Sequence, residues 1–455
     1  MKSSQLTFDN KIILAPMVRV GTLPMRLLSL EYGADIVYSE ELIDWKFLKS
    51  VRRENGVLGT IDYLDPTDGT VIFRTCAKEK QNVVVQLGTS DPDRALKVAK
   101  LIENDVSGID INMGCPKEFS LKGGMGAALM TQKEKAKKIL STLVENVKIP
   151  VTCKIRVFEN IDDTLTLVKE LEATGIKAIA VHGRTKVERP QHPNRNHVIK
   201  KIAETLNIPV IANGGSREIE NYRDLFKFKD DCGCSSVMVA RTAQYNCSIF
   251  RKDGMKAMDD VIVQYLKKCV EYDNSPSNTK YCVQNMLKEL QETPRGKRFL
   301  ECQTLEQICN IWNLGDYCRQ KQLEYQTKGN FGRREIMPEL LDPQRKKQKT
   351  IFDNENIDVC LNCAFIRANY TEDPKLPKSR LMSYCGKNKL KSPKYKVFNE
   401  DKLFRAIVTI EDKKYSSSYW EKNKKFAEQG AALVACVSIG LIDKCDLIKD
   451  GSILE

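Results

Sequence analysis

The stretch Gly108-Ile-Asp-Ile-Asn-Met-Gly-Cys-Pro-Lys117 is a short apolar run that ends in a polar, proline-containing turn. Similar runs recur as far as residue 239, and most are followed by a longer segment with apolar residues three and four positions apart. This alternation is typical of parallel strand–helix units. The predicted strands lie at 12–14, 36–38, 83–85, 108–111, 151–155, 178–181, 210–212 and 236–239.

Eight strand–helix units within residues 1–252 predict an α/β fold and, within that class, a TIM barrel. An open doubly wound sheet is the alternative, but no Gly-x-Gly-x-x-Gly follows the first strand. In a TIM barrel the active site forms at the carboxyl ends of the strands. The helices predicted between the strands include 92–104, 133–146, 163–174 and 197–205.

The sequence pattern changes after the predicted barrel. Residues 253–330 lose the strand signals and predict a small helical domain. Residues 331–357 are polar and basic and predict a linker. Residues 358–446 follow the order α-β-β-β-α, with strands at 394–399, 404–411 and 414–419 and a long final helix at 424–439.

The 455-residue chain carries a net charge of +13, and residues 343–455 contain 22 Lys and Arg against 15 Asp and Glu. A basic excess favours a polyanionic partner, because each phosphate that Lys or Arg neutralises releases counterions. No stretch approaches the ~20 apolar residues of a membrane span. The N-terminal residues leave no room for a signal peptide, and the sixteen cysteines are scattered. We expect a cytoplasmic protein whose thiols are mostly buried and reduced.

Two loops at the carboxyl ends of the last predicted strands form a candidate phosphate site. Gly214 and Gly215 precede a helix, and Ala240-Arg241 follows the next strand. Bare backbone amides and a cation at this end of a barrel suit a phosphorylated cofactor. An ordinary Asn-Gly-Gly turn is the alternative interpretation.

Three other strand-end residues are candidates for chemistry. Lys154 would point into the barrel mouth, where an unpaired cation is costly unless a phosphate or an electron-rich ring is its partner. His182 lies one strand further on, although a structural histidine fits equally well. Cys115 sits on a rigid Gly-Cys-Pro turn at the same end, which makes its thiol a candidate acid rather than a spare core thiol. No metal site is expected, because the histidines lack a third ligand at a plausible spacing.

Seven motifs, in order from Ile12 to Phe250, resemble the tRNA-dihydrouridine synthase family. They are Leu14-Ala-Pro-Met17, Asn112-Met-Gly-Cys-Pro-Lys117, Gly123-Gly-Met-Gly-Ala127, Cys153-Lys-Ile-Arg156, Val181-His-Gly-Arg184, Ala212-Asn-Gly-Gly215 and Val237-Met-Val-Ala-Arg241. The resemblance implies that FMN is bound and that NADPH is the transient reductant. It also implies hydride transfer to uracil C6 and protonation of C5 by Cys115.

The same resemblance assigns the predicted contacts. The isoalloxazine side is assigned to Pro16, Met17, Val18, Gln86 and Lys154. The ribityl and phosphate side is assigned to His182, Asn213, Gly214, Gly215, Ala240 and Arg241. Asn112 and Arg184 are predicted to face the substrate.

The C-terminal segment resembles a double-stranded RNA-binding domain. The likeness rests on Ser379-Arg-Leu-Met-Ser-Tyr-Cys-Gly-Lys-Asn-Lys-Leu390, Pro393-Lys-Tyr395 and Lys424-Lys-Phe-Ala-Glu-Gln-Gly-Ala-Ala432. Lys424 and Lys425 would contact phosphates from a helix N-terminus. Glu428 replaces the third basic position of that helix, and Arg367, Lys375 and Lys378 are predicted to compensate.

The combination of barrel, helical domain and RNA module resembles the eukaryotic branch of the family that acts on uridine 20 of the tRNA D-loop. We therefore expect a monomeric tRNA-modifying enzyme. Two rival functions remain open. One is an FMN barrel that acts on a free pyrimidine, and the other is a non-catalytic RNA-binding scaffold.

Overall fold

The computed structural model describes residues 6–328, 355–400, 403–421 and 423–453, so most of the predicted linker, 331–354, lies outside the described residues. The chain forms two compact units. Among the described residues, 6–286 and 317–328 belong to the first unit, and 287–316 together with those from 355 onward belong to the second. The division falls at residue 287, within the predicted helical segment 253–330.

The first unit contains a closed barrel of eight parallel strands, which confirms the predicted fold class. Its strands in chain order are β1 (Ile12–Leu14), β2 (Ile36–Ile43), β3 (Val51–Asn55), β4 (Thr60–Leu64), β5 (Val71–Cys76), β6 (Val83–Gly88), β7 (Gly108–Met113), β8 (Val151–Arg156), β9 (Ala178–His182), β10 (Val210–Asn213) and β11 (Ser236–Val239). The barrel order is β1-β11-β10-β9-β8-β7-β6-β2. Its interior is a packed apolar core that includes Ile13, Tyr38, Val84 and Ile211.

Helices follow the barrel strands and continue beyond them. They are α1 (Leu23–Glu31), α2 (Asp44–Leu48), α3 (Pro92–Ile102), α4 (Glu118–Lys122), α5 (Lys133–Asn146), α6 (Ile161–Glu172), α7 (Asn196–Thr205), α8 (Tyr222–Asp231), α9 (Arg241–Tyr245), α10 (Met258–Glu271), α11 (Pro276–Leu287), α12 (Pro294–Glu301), α13 (Leu305–Asn310) and α14 (Gly315–Lys328). In α5 the buried residues Ala136, Ile139, Leu140 and Leu143 form the apolar stripe that faces the barrel. No helix among the described residues is long and apolar enough to cross a bilayer.

The sequence analysis missed the small antiparallel sheet of β3, β4 and β5, which is inserted between barrel strands β2 and β6. Its first strand, Val-Arg-Arg-Glu-Asn, is mostly exposed and carries no apolar alternation. The sheet is anchored by a buried ion pair in which Arg74 Nε lies 2.6 Å from Asp62 Oδ1. A long-range ion pair leaves no local pattern in the sequence.

The part of the second unit from residue 355 onward has the α-β-β-β-α order expected of a double-stranded RNA-binding domain, with one extra strand and one extra helix among the described residues. Its elements are β12 (Val359–Leu361), α15 (Pro377–Lys387), β13 (Lys394–Glu400), β14 (Leu403–Ile410), β15 (Lys413–Ser417), α16 (Lys424–Ser438) and α17 (Lys444–Lys449). The strand order is β12-β15-β14-β13, and the extra strand β12 pairs in parallel with β15. Small residues of α16, including Ala427, Ala431 and Ala435, let this helix pack closely in the core of the unit.

Helix α12 is tied to the same unit by a buried ion pair. Lys297 Nζ bonds Glu421, and the two side chains are 0% and 4% exposed. Glu292 also accepts from the Arg367 backbone N–H at 2.6 Å. These contacts explain why residues 287–316 belong to the second unit rather than to the first.

Candidate active site at the barrel mouth

The turn that carries Cys115 is fixed by side-chain and backbone hydrogen bonds. Asn112 Oδ1 accepts from the backbone N–H groups of Gly114 and Cys115, both at 3.0 Å. The Cys115 carbonyl accepts from the Ala127 N–H at 3.0 Å, and Ser120 Oγ donates to Cys115 Sγ at 3.4 Å. Thirteen of the sixteen cysteines are buried, whereas the Cys115 thiol is partly exposed. The fold therefore holds one reachable thiol at the barrel mouth.

A network of buried hydrogen bonds supports the turn that carries Cys115. Gln86 Nε2 donates to Asp110 Oδ2 at 2.8 Å, and Asn112 Nδ2 donates to Gln86 Oε1 at 3.2 Å. Thr152 Oγ1 donates to the other Asp110 oxygen at 2.7 Å. Burial raises the pKa of Asp110 to about 6, although the bonds from Gln86 and Thr152 oppose the shift. Asn112 thus positions the Cys115 turn, and its contact with the substrate stays a prediction.

Two cations at the end of β8 have different surroundings. Burial, together with the positive charge of Arg156, lowers the pKa of Lys154 to about 8. The Lys154 ammonium makes no hydrogen bond or ion pair with any described residue. Arg156 instead donates from Nε to the Gly114 carbonyl at 2.8 Å and from a terminal nitrogen to the Thr185 carbonyl at 2.9 Å. Arg156 therefore links two loops, whereas the Lys154 ammonium is available to bind a ligand.

A cavity of about 60 Å³ lies at the ends of β10 and β11. The residues predicted for the ribityl and phosphate side all line it, namely His182, Asn213, Gly214, Gly215, Ala240 and Arg241. The Arg241 guanidinium makes no hydrogen bond or ion pair with a described residue. The structure therefore brings these residues together around one space.

Gly214 is needed at this cavity for two reasons. Its φ is +110°, a backbone conformation that L side chains rarely adopt. A Cβ would also lie 2.1 Å from Asn194 Oδ1 and 2.8 Å from His182 Cδ2. Asn194 Oδ1 is itself buried without a hydrogen-bond partner. A ligand hydroxyl donating to that oxygen would remove the cost of leaving it unpaired.

The protonation of His182 follows from its neighbours. Burial, together with the nearby charges of Lys154, Arg156 and other arginines, holds the pKa of His182 well below its usual range. A terminal nitrogen of Arg184 lies 3.0 Å from His182 Nε2. Because a guanidinium only donates, Nε2 is the acceptor and the ring proton sits on Nδ1. The neutral imidazole can therefore donate one hydrogen bond from Nδ1.

Arg184 points into the protein rather than outward. Its side chain is buried, Nε donates to the His192 carbonyl at 2.8 Å, and a terminal nitrogen donates to the Gly214 carbonyl at 2.8 Å. This geometry favours support of the cavity wall over the predicted contact with the substrate.

The loop after β1 carries the three remaining flavin-side residues. Pro16 and Met17 are partly buried, and Val18 is exposed. The Met17 carbonyl accepts from the backbone N–H groups of Val20 and Gly21 at 3.1 and 2.9 Å. The loop is thus a closed turn that can present these side chains at the mouth.

The sequence analysis missed Glu41, whose pKa is raised by burial and lowered by an interaction of its carboxyl group with the Cys115 thiol. Glu41 belongs to an unremarkable Ser-Glu-Glu-Leu run, in which alternation alone does not show which side chain faces inward. The signal that could have revealed it is a strand bulge, which is visible only from the pairing of β2 with β6.

The predicted RNA-contacting residues lie in the second unit. Two of them are exposed at a helix N-terminus, and three form ion pairs. Lys424 and Lys425 are exposed at the first turn of α16, where Asn423 caps the helix by accepting from the Phe426 N–H at 2.9 Å. Lys378 forms an ion pair with Glu428. Two further ion pairs are Lys375 with Glu372 at 3.2 Å and Arg367 with Asp373 at 3.3 Å.

Comparison with known proteins agrees with this architecture. Residues 13–327 match the family model of dihydrouridine synthase, and residues 377–438 match that of the double-stranded RNA binding motif. A crystal structure of the tRNA-dihydrouridine(20) synthase dsRBD domain is 36% identical and covers 20% of this chain and 95% of that chain, with a TM-score of 0.18.

Two curated relatives are similar to more than half of this chain. The tRNA-dihydrouridine(20) synthase of Schizosaccharomyces pombe is 38% identical over 292 residues, which cover 62% of this chain and 60% of the relative. The protein of the same name from Saccharomyces cerevisiae is 37% identical over 300 residues, which cover 62% of this chain and 78% of the relative. The family model spans well over half of the sequence, and the chain belongs to the dihydrouridine synthase family.

Proposed function

We propose that this chain reduces uridine to 5,6-dihydrouridine in tRNA, with the uracil bound at the barrel mouth beside Cys115. The observation that carries the proposal is the fixed, partly exposed thiol at the same end of the barrel as a cavity lined by glycines and Arg241, in a chain that also matches the double-stranded RNA binding motif. The names of the yeast relatives suggest position 20 as the target uridine.

The residues at the mouth fit FMN. Arg241, the neutral His182 and the glycine turn suit a phosphate and ribityl chain. Lys154 is a partly buried cation that makes no ion pair with a described residue, which suits the electron-rich edge of a flavin ring. When bound, FMN that has been reduced by NADPH supplies the hydride for C6 of the uracil.

The chain itself supplies the proton and the positioning. Cys115 donates its thiol proton to C5 of the uracil, and Asn112 holds the turn so that the thiol stays at the mouth. Lys154 and Arg156 are cations at the end of β8 whose charges interact with Cys115. Lys424 and Lys425 bind phosphates of the tRNA, which must present its target base unstacked.

The substrate that the protein accepts distinguishes this proposal from the rival function, in which the barrel acts on a free pyrimidine. We expect NADPH oxidation to be stimulated by an unmodified tRNA transcript and not by uridine, uracil or orotate at the same concentration. The accumulation of dihydrouridine in the tRNA is followed by mass spectrometry. Equal turnover of a free pyrimidine would favour the rival enzyme, and a colourless protein without flavin absorbance would favour the RNA-binding scaffold.

A further inference from the structure

A bulge in β2 directs Glu41 toward the inside of the barrel. Tyr38 pairs with Val84, and both side chains belong to the barrel interior. Gln86, two residues after Val84, points the same way, but Glu41 is three residues after Tyr38 and would point outward in a regular strand. The register shift between Tyr38 and Glu41 places Glu41 opposite Gln86 instead. Bulges next to active sites commonly redirect a side chain in this way.

The local packing leaves room for this carboxyl group. Gly88 lies at the end of β6, and a Cβ there would be 2.7 Å from Glu41 Oε1. Oε1 is buried and has no hydrogen-bond partner among the described residues. The Cys115 thiol is close enough to this carboxyl group to interact with it and to oppose the effect of burial on its pKa. The Ser120 hydroxyl donates to Sγ of the same thiol.

The surroundings of Glu41 favour its protonated form. Burial raises its pKa to about 7, and only the interaction with Cys115 opposes the shift. The neighbouring Glu40 on the same strand is engaged elsewhere, because it accepts from the Arg19 N–H at 2.9 Å. On the elements around Cys115, the other charged groups include Asp110 of β7, the cations Lys154 and Arg156 of β8, and the Glu118–Lys122 ion pair of α4.

We propose that Glu41 is a positioning residue that returns a proton to Cys115 after each turnover. The inference rests on the proposed function and names a residue that the family motifs quoted above do not include. A single thiol can protonate only one uracil before it must recover a proton. The bulged carboxyl group is the acid that the fold places against it.

The proton balance is complete without a further reactant. The Sγ–H bond of Cys115 breaks as the C5–H bond of the uracil forms, which leaves a thiolate. The O–H bond of the Glu41 carboxylic acid then breaks as Sγ–H forms again, which leaves a carboxylate. That carboxylate takes its proton from solvent through the open mouth. One proton is consumed for each NADPH oxidised.

Glu41→Gln keeps the size of the side chain and removes its proton. In a single-turnover experiment with pre-reduced holoenzyme, we expect the first dihydrouridine to form at nearly the wild-type rate. Steady-state turnover on tRNA should fall about tenfold to a hundredfold, within the range of general acid–base catalysis. Glu41→Asp, which keeps an acid, should recover part of that loss.

A pH profile separates this role from a merely structural one. The rate at which iodoacetamide alkylates Cys115 should show an inflection near pH 7 in the wild type, where Glu41 titrates, and none in Glu41→Gln. Glu134→Gln removes an exposed carboxylate on α5 and should leave both measurements unchanged.

The outcomes distinguish the inference from the proposed function. An unchanged steady-state rate and an unchanged alkylation profile in Glu41→Gln would overturn the role of Glu41. Equal losses of the first and later turnovers would also overturn it. Full activity of Cys115→Ala would instead overturn the proposed function on which the inference rests.

Discussion

At the scale of single residues, the barrel mouth contains polar groups that no described residue pairs. Lys154 and Arg241 are cations without hydrogen bonds to described residues, and Asn194 presents a buried oxygen without a partner. The sequence predicted the two cations from their strand-end positions, because that end of a barrel is a known location for active sites. It could not indicate Asn194, whose relevance comes from packing against Gly214.

Gly214→Ala should abolish flavin binding. The added Cβ would lie 2.1 Å from Asn194 Oδ1, and the φ of +110° would be strained. A matched control is Gly254→Ala, which has a φ of +93° but no atom within 4 Å of the added carbon. Both variants bear a backbone cost of about 1–3 kcal/mol, and only Gly214→Ala obstructs the cavity. The ratio of flavin to protein absorbance measures the difference, and equal flavin content in both variants would contradict the assignment.

Flavin affinity should weaken as the pH rises through about 8. The pKa of Lys154 is lowered to about 8, so its charge is present below that pH and lost above it. Because a bound electron-rich or anionic group favours the charged form, binding should be tightest below pH 8. Titration of the apoprotein with FMN between pH 7 and pH 9 tests this expectation. Lys154→Met should bind more weakly and should lack the transition.

At the scale of elements, much of the fold could be predicted, because buried strands and amphipathic helices leave periodic patterns. The eight barrel strands and the final helix α16 are examples. Three features could not be predicted, because they depend on contacts between distant residues. They are the β3–β5 sheet with its Arg74–Asp62 pair, the bulge at Glu41, and the attachment of α12 to the RNA-binding module through Lys297.

Lys297→Met should destabilise the second unit by about 3–5 kcal/mol, because it removes the Lys297 ammonium from the buried ion pair with Glu421. Hydrogen–deuterium exchange of the full-length protein should show faster exchange in α12, β14 and β15, with the barrel strands unchanged. Lys297→Met combined with Glu421→Leu removes both charges and should restore much of the protection. Unchanged exchange in the single variant would show that the pair does not hold α12.

At the scale of the whole molecule, the chain joins a catalytic barrel to an RNA-binding module that carries a large share of the net positive charge. The departure at Glu428, which the sequence analysis identified, is neutralised locally, because Glu428 forms an ion pair with Lys378. Lys378 is therefore less available to phosphates than the exposed Lys424 and Lys425. We expect this pair of lysines to dominate the contribution of the module.

Replacing both Lys424 and Lys425 with Gln should weaken tRNA binding and make it less sensitive to salt. Each phosphate contact adds about 0.7–0.9 to the slope of log affinity against log salt, so the slope should fall by roughly 1.5. Flavin content should not change. Lys449→Gln, an exposed lysine on α17, is the control and should bind like the wild type. An unchanged slope in the double variant would place the RNA contact elsewhere.

The central claim is that Cys115 protonates a uracil of tRNA at the mouth of this barrel. The most direct test incubates an unmodified tRNA transcript with NADPH and either the wild-type holoprotein or Cys115→Ala, and quantifies dihydrouridine by mass spectrometry. We predict that the wild type converts one uridine, at position 20, and that Cys115→Ala retains FMN but forms at least about a hundredfold less product. Wild-type conversion by Cys115→Ala, or no dihydrouridine from the flavin-loaded wild type, would contradict the account.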